Sequence, residues 1–313
     1  MGQEKQHILI TGVRGFVGRN LVEFLTRDYS DKYNLFAPTH AELELLDHVQ
    51  VEDFVSKNQI DCVIHCANVG GSRKTAYDIE QSEVITKNLR MFFNLVKALP
   101  EDKRIITCGS GAEYDYRHYI PKMKERYFGS YIPNDQYGFS KYICAKYIEK
   151  RQNAVNLRIF GVFGRYEDYT YRFISNAIVK NLLKLPIVIN QNIEFDFIYV
   201  DDLVKGIVFF IDYENKYKSY NLTTGNKIDL VSIVNKINAI ADNKSKITVK
   251  NPGLNTEYSA DNTRFLKEYP DFRLTAFDAA LKQLYDWYKD NINDIDVIAV
   301  KADKYIKYCK TKK

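Results

Sequence analysis

Short apolar runs alternate with amphipathic stretches over the first half of the chain. Segments 7–11, 33–37, 61–66, 104–108 and 154–160 have the length and apolar density of buried strands. Between them, 16–27, 48–58, 79–99 and 137–151 repeat apolar residues at helical spacing. Strand-then-helix alternation of this kind predicts an α/β fold built on a doubly wound parallel sheet. Asp47 stands just before the second helical stretch, where its carboxylate can cap free N–H groups. Right-handed crossovers place the loops that follow the strand C-termini along one edge of the sheet, where open α/β sheets bind ligands.

After about residue 165 the alternation weakens. A helix near 171–184, a strand pair around 187–198, a helix from 201 and a helix near 275–289 are expected there. No Pro/Gly/Ser linker, internal repeat or low-complexity tract separates the halves. The reading is a sheet domain over 1–165 and a smaller α/β substrate lobe over 166–313, folding together, with the chain crossing between them.

Composition narrows the class. At 313 residues and 45% hydrophobic, the chain can bury a large core. No apolar run approaches the ~20 residues needed to span a bilayer. The start, MGQEKQH, lacks the apolar stretch of a signal peptide, and Gln6 stands where a myristoylation signal needs Ser or Thr. The expectation is a cytoplasmic protein without a membrane association. Five cysteines, at 62, 66, 108, 144 and 309, show no metal-ligand spacing and read as buried thiols in a reducing compartment. A net charge of +5 gives no reason to expect nucleic acid, and it suits an enzyme with anionic ligands. The Lys-rich end, 301–313, reads as a solvated helix and tail.

Candidate chemistry begins right after the first strand, in Thr11-Gly12-Val13-Arg14-Gly15-Phe16-Val17-Gly18. Gly12 allows a tight turn, Gly15 lets the backbone approach a pyrophosphate, and Gly18 lets the helix pack close to the sheet. Exposed N–H groups at the helix start and the helix dipole complete an anion site. Three glycines alone are a weak signal, because ordinary turns collect them too. Tyr137 and Lys141 stand four apart on a predicted helix and so share a face, where the ammonium favours phenolate over phenol. Chance pairs occur in a chain with 24 Tyr, Tyr142 and Lys146 being one. Ser110, just past a strand at the same sheet edge, can hydrogen-bond a substrate oxygen.

NAD-binding sheets place an acid at the end of the second strand for the ribose diol. Here that stretch is Leu35-Phe36-Ala37-Pro38-Thr39-His40, with no acid. Arg14, helped by His40, can meet a 2′-phosphate, so NADP is favoured over NAD, and Asp47 reads as a cap or an adenine contact. Tyr114, in a Tyr-rich loop, is a candidate sugar contact, with lobe packing as the alternative.

TGVRGFVG, Asn88 in the long helix, GSGAEY after a strand, YGFSK and FDFIYVDDL together resemble an extended short-chain dehydrogenase/reductase, over nearly the whole chain. GVRGFVG, AELELLD and NVGGSRK resemble in particular the GDP-L-fucose synthases and related reductases of 4-keto nucleotide sugars. The resemblance implies a Rossmann domain holding NAD(P) and a nucleotide sugar in the cleft. It makes Tyr137 the acid/base, with Lys141 supporting it and holding the ribose. Ser110 polarises the sugar oxygen, and Gly12, Gly15 and Gly18, with Phe16 and Val17, line the pyrophosphate. Cys66, Ala67 and Asn88 stand at the cofactor edge, Phe160 and Val162 wall the nicotinamide, and two long helices form a homodimer interface.

Departures from the family narrow the reaction. Sugar-nucleotide dehydratases carry an Asp-Glu pair where this chain has Gly111 and Ala112. Fucose synthases epimerise with a cysteine at the position of Ala112 and a later histidine, yet no histidine follows His118. Hydride transfer at C4 by an NADP-dependent ketoreductase remains. The alternatives are a 4-epimerase with tightly held NAD, and a non-catalytic dinucleotide sensor. Many members place a diphosphate-binding arginine where Phe195 stands; Arg172, Lys180 and Lys184 are candidate replacements.

Overall fold

The structure is a computed structural model that describes residues 5–71, 81–304, 306–309 and 311–312. The first half follows the strand–helix alternation: β1 (Gln6–Thr11), α1 (Phe16–Asp28), β2 (Tyr33–Phe36), α2 (His48–Lys57), β3 (Cys62–His65), α3 (Gln81–Ala98), β4 (Arg104–Ser110), α4 (Gln136–Ile148) and β5 (Ala154–Ile159). The strands are continuous apolar runs because helices cover both faces of the sheet. Ile8, Ile10 and Ile64 enter a core shared with α1 and the second half of the chain, whereas Leu9, Val63 and Ile105 pack with α2, α3 and α4; all six are fully buried. Asp47 caps α2 by accepting from Val49 N at 3.0 Å and Gln50 N at 3.3 Å.

The second half adds β6 (Gly161–Phe163), α5 (Phe173–Leu182), β7 (Ile187–Asn192), β8 (Glu194–Phe195), β9 (Phe197–Tyr199), α6 (Val200–Asp212) and β10 (Ser219–Leu222). It continues through β11 (Ile228–Asp229), α7 (Leu230–Ile240), β12 (Ile247–Leu254), α8 (Thr263–Glu268), α9 (Phe277–Asp290) and α10 (Val297–Ala302). β10 returns to the main sheet beside β5, giving six parallel strands in the order β10-β5-β4-β3-β1-β2. Ile8 pairs with Leu35 on one side and with Cys62 on the other, so strand order reverses at β1/β3. A crevice opens at the C-terminal ends of strands beside such a reversal.

The strand pair expected within 187–198 is instead three short strands with separate partners. β7 runs parallel to β12, β8 antiparallel to β11, and β9 parallel to β6. Single residues, Ile193 and Asp196, separate β7 from β8 and β8 from β9, too few for the shortest common hairpin loop. The Lys-rich end is also more than a solvated tail. Lys180 forms an ion pair with Asp303 at 2.6 Å, and Gln191 Nε2 donates to the Lys312 carbonyl at 2.9 Å. Among the described residues, no helix is long and apolar enough to cross a membrane, and no cluster of three or more His, Cys, Asp or Glu side chains could hold a metal.

Glu167 is buried beside Ser175, whose hydroxyl donates to its carboxylate at 2.6 Å. Burial, opposed by Arg172, pushes this carboxyl up to about 7. A carboxyl raised on folding contributes stability below its unfolded value of 4.5 that is lost as pH rises towards 7. Glu167→Gln is therefore expected to match the parent chain in thermal unfolding at pH 4 and to exceed it by about 3 kcal/mol at pH 8.

Candidate active site

The reversal point is built by two loops pressed together. Gly12 has φ +71°, and a Cβ there would lie 2.6 Å from Ala67 N. A Cβ on Gly18 would overlap the Gly12 carbonyl oxygen, and Gly15 N donates to that same oxygen at 2.9 Å. Gly15 caps α1 without a side-chain partner, so the first-turn N–H groups of Phe16, Val17 and Gly18 are left for an anion. Across the crevice, Ala67 N donates to Thr11 Oγ1 at 3.2 Å, and Thr11 Oγ1 is 2.9 Å from His65 Nδ1. Burial, reinforced by the Lys141 charge, holds His65 down at about 3, so it is neutral at physiological pH. Cys66 lies between the two, its carbonyl carbon 2.9 Å from where a Gly12 Cβ would be. The two loops therefore approach this closely only because the glycines carry no side chains.

α4 presents Tyr137 and Lys141 to the same edge. Asp135 caps this helix by accepting from Gly138 N at 2.8 Å. Lys141 Nζ lies 5.9 Å from the Tyr137 ring centroid and donates to the Cys108 carbonyl at 2.8 Å. Burial alone would lower the Lys141 pKa, but Tyr137, Cys144, Cys108 and Glu113 outweigh it, and the net shift is upward. The lysine thus keeps its charge inside the protein. Gly70 and Gly71, both at positive φ, lie against the phenol; a Cβ on Gly71 would be 2.7 Å from Tyr137 Cζ. Asn88 holds this loop, accepting from Val69 N at 2.7 Å and donating to Val69 O at 2.8 Å and Ser140 Oγ at 3.1 Å. It is nearly fully buried, and its hydrogen bonds position the loop beside Tyr137.

Ser110 ends β4 and opens a reciprocal cap. Its Oγ accepts from Ala112 N at 3.1 Å, while Glu113 Oε1 accepts from Ser110 N at 2.9 Å. Gly111 leaves room for two aromatic side chains: a Cβ there would overlap the Tyr258 hydroxyl and approach Phe160 Cε1 to 2.7 Å.

The model of the NAD dependent epimerase/dehydratase family matches residues 8–223. The chain belongs to that family. It is 27% identical over 264 residues to an ADP-L-glycero-D-manno-heptose-6-epimerase of Brachyspira hyodysenteriae, covering 74% of this chain and 80% of that one. It is 26% identical over 282 residues to a dTDP-4-dehydro-6-deoxyglucose reductase of Escherichia coli, covering 80% and 87%. Its fold matches a GDP-L-fucose synthetase from Naegleria fowleri bound to NADP, with TM-score 0.79 at 15% identity over 93% of this chain and 95% of that one. The chain is thus an NAD(P)-dependent enzyme of the nucleotide-sugar reductase and epimerase group.

Several family-derived candidates are placed differently from expectation. Tyr114 is buried, its hydroxyl donating to Asn221 Oδ1 at 2.9 Å and its ring packed near Phe128 and Phe160, so it is core and not a sugar contact. Lys180 is buried in its pair with Asp303, and the diphosphate role does not suit it. His40 is turned to solvent and paired with Glu44 at 2.9 Å. The Asp47 carboxylate serves as the cap of α2 and also accepts from Gln50 Nε2 at 3.1 Å, which fits the cap reading. Arg172 stands at the N-cap position of α5 without capping it, and the charge of its side chain reaches Tyr137 and Tyr258, which keeps it at the cleft. Lys184 is exposed just beyond that helix, Phe160 joins an aromatic cluster with Tyr119 and Tyr258, and Val162 lies half-buried on β6.

Three contributors escaped the sequence reading. An acid does reach the end of β2, because Glu42 folds back to accept from Thr39 N at 2.7 Å and Thr39 Oγ1 at 2.8 Å, within reach of the Arg14 charge. Tyr258, on the far lobe, hydrogen-bonds Ser110; burial above all, then Tyr137, pushes its phenol up. His65 follows the apolar run of β3 and only its contact with Thr11 reveals a role. Of these, His65 carried a sequence signal, a polar ring at the end of a buried strand.

Gly71→Ala should push the Tyr137 ring aside without touching the glycine cradle. Turnover is expected to fall by about a hundredfold, the scale of a 1 Å misplacement, while dinucleotide affinity measured by calorimetry stays within about threefold of the parent.

Proposed function

We propose that this enzyme reduces the keto group of a nucleotide-linked 4-keto sugar with NADP as cofactor, in deoxysugar or surface-polysaccharide precursor synthesis. The observation that carries this reading is the turn after Ser110. Residues 111 and 112 are Gly and Ala, and the carboxylate of Glu113 is locked under the strand by Ser110 N, Asn156 and Arg158. Among the described residues, this turn offers no acid–base pair for dehydration or for epimerisation at C3 and C5. Proton transfer at a single oxygen is what the remaining groups support.

Gly12, Gly15 and Gly18 would hold the pyrophosphate, with Arg14 at the 2′-phosphate and Phe160 and Val162 beside the nicotinamide. When bound, the dinucleotide supplies hydride. Tyr137 donates its proton to the carbonyl oxygen, and the Lys141 ammonium stabilises the phenolate left behind. Ser110, held by Ala112 N and in contact with the Tyr258 hydroxyl, would present its own hydroxyl to that same oxygen. Arg172 at the cleft is placed to meet the diphosphate. The N-terminal 165 residues together with β10 serve as the dinucleotide domain, the remainder as the substrate lobe, and α3 with α4 as the homodimer face.

The test is oxidation of NADPH followed by absorbance against a panel of 4-keto nucleotide sugars. At least one should be reduced, and Tyr137→Phe should lower turnover by ~10²–10⁴-fold. No oxidation across the panel, with product formed from a nucleotide sugar without added cofactor, would establish a 4-epimerase instead.

Cofactor choice has its own measurement. Arg14→Ala is expected to weaken NADPH binding by about tenfold or more, the worth of a charged hydrogen bond, and to leave NADH binding unchanged. Equal losses for both would assign Arg14 no part in selecting the phosphate.

A further inference from the structure

Cys66 and Cys108 take no part in the proton transfer, yet their sulfurs lie 3.3 Å apart. The arrangement follows from the sheet. In the β3–β4 register His65 stands opposite Thr107, so Cys66 and Cys108 occupy the next position on each strand. Neighbouring strands run ~4.8 Å apart and disulfides bridge Cα atoms ~4.4–6.8 Å apart, so the spacing of the two strands suits such a bond.

Their surroundings favour reaction. Lys141 Nζ sits on the Cys108 carbonyl at 2.8 Å, and its charge favours the thiolate at both positions. The shared S–H···S contact comes first in setting their balance: it lowers Cys108 and, together with burial, raises Cys66. Cys62 and Cys144 differ, because burial pushes each of their thiols up to about 12. A small cavity bounded by His65, Ala67, Cys108 and Lys141 opens against buried Cys108, and Cys66 is partly exposed.

We propose that Cys66 and Cys108 form an oxidant-sensitive dithiol that closes to a disulfide on meeting a hydroperoxide. The Cys108 thiolate, its proton released to solvent, attacks the outer peroxide oxygen. A sulfur–oxygen bond forms, the oxygen–oxygen bond breaks, and with hydrogen peroxide the leaving hydroxide takes a proton to become water. The Cys66 sulfur then attacks the Cys108 sulfenic acid. The disulfide forms, the sulfur–oxygen bond breaks, and hydroxide departs with the Cys66 proton as a second water. Two thiols lose two electrons in all, and the peroxide gains them.

The test needs no substrate, and its outcome is independent of the proposed activity. The full chain is treated with hydrogen peroxide, alkylated, digested and mapped by mass spectrometry. Of the five thiols, two are expected to become unreactive and to appear as one cross-linked peptide joining residues 66 and 108, released by dithiothreitol. In Cys66→Ser the Cys108 sulfenic acid should be trapped by dimedone, an adduct absent from the parent chain. Five reactive thiols after treatment, or losses mapping to Cys62, Cys144 or Cys309, would overturn the proposal. Should the variant fail to fold, the peptide map of the parent chain decides by itself.

Discussion

One buried carboxylate organises the edge of the sheet that carries the candidate active site. Glu113 has no solvent exposure and accepts from Ser110 N, from Asn156 Nδ2 at 2.8 Å and from Arg158 Nε at 2.6 Å. Arg158, fully buried too, donates to Ser219 Oγ on β10 at 2.8 Å and stacks over the Phe128 ring at 3.9 Å. β4, β5, β10 and the loop before α4 therefore meet at a single ion pair. Removing charges from water is costly, so such a pair adds little net stability, but losing one partner strands the other at ~3–5 kcal/mol. What the pair supplies is geometry. Gly109 completes it, since a Cβ there would lie 2.5 Å from Asn156 Oδ1 and overlap Glu113 Oε1.

The candidate side chains Ser110, Tyr137 and Lys141 differ in how they are held. Tyr137 and Lys141 depend on helix periodicity and on the Asp135 cap, both local. Ser110 depends on the ion pair, and the phenol ring of Tyr137 on a glycine loop tied down by Asn88. Each reactive group thus rests on a separate support, and the supports converge on α4 and the end of β4. A hydroxyl from the other lobe, Tyr258, closes the ring of contacts around Ser110.

How much of this was legible follows from the range of the interactions. The glycine turn, the β1-to-β5 alternation and the Tyr137/Lys141 face are set within a few residues of themselves, and pattern reading finds them. β10 is four residues, Ser-Tyr-Asn-Leu, and becomes a strand only because β5 offers a free edge. Glu42 reaches Thr39 by a turn whose path no strand-end rule anticipates. Lys180 resembles a surface cation until Asp303, far along the chain, pairs with it. α7 was within reach: Asp229 caps it, and Leu230, Ile233, Val234 and Ile237 share one buried face. Tyr114 misled because a tyrosine in an aromatic loop reads the same whether its hydroxyl faces a sugar or Asn221.

The late return of β10 bears on how the polypeptide matures. β5 ends at Ile159 and its neighbour begins at Ser219, so a ribosome must add the whole of β6 to α6 before the sheet is closed. Throughout that interval β5 carries an open row of backbone donors and acceptors, the template on which foreign strands add. Arg158 waits as well, its guanidinium lacking the Ser219 hydroxyl. The edge around Glu113 and Arg158 is therefore among the last parts of the molecule to set, and a nascent chain halted before β10 would be sticky as well as incomplete.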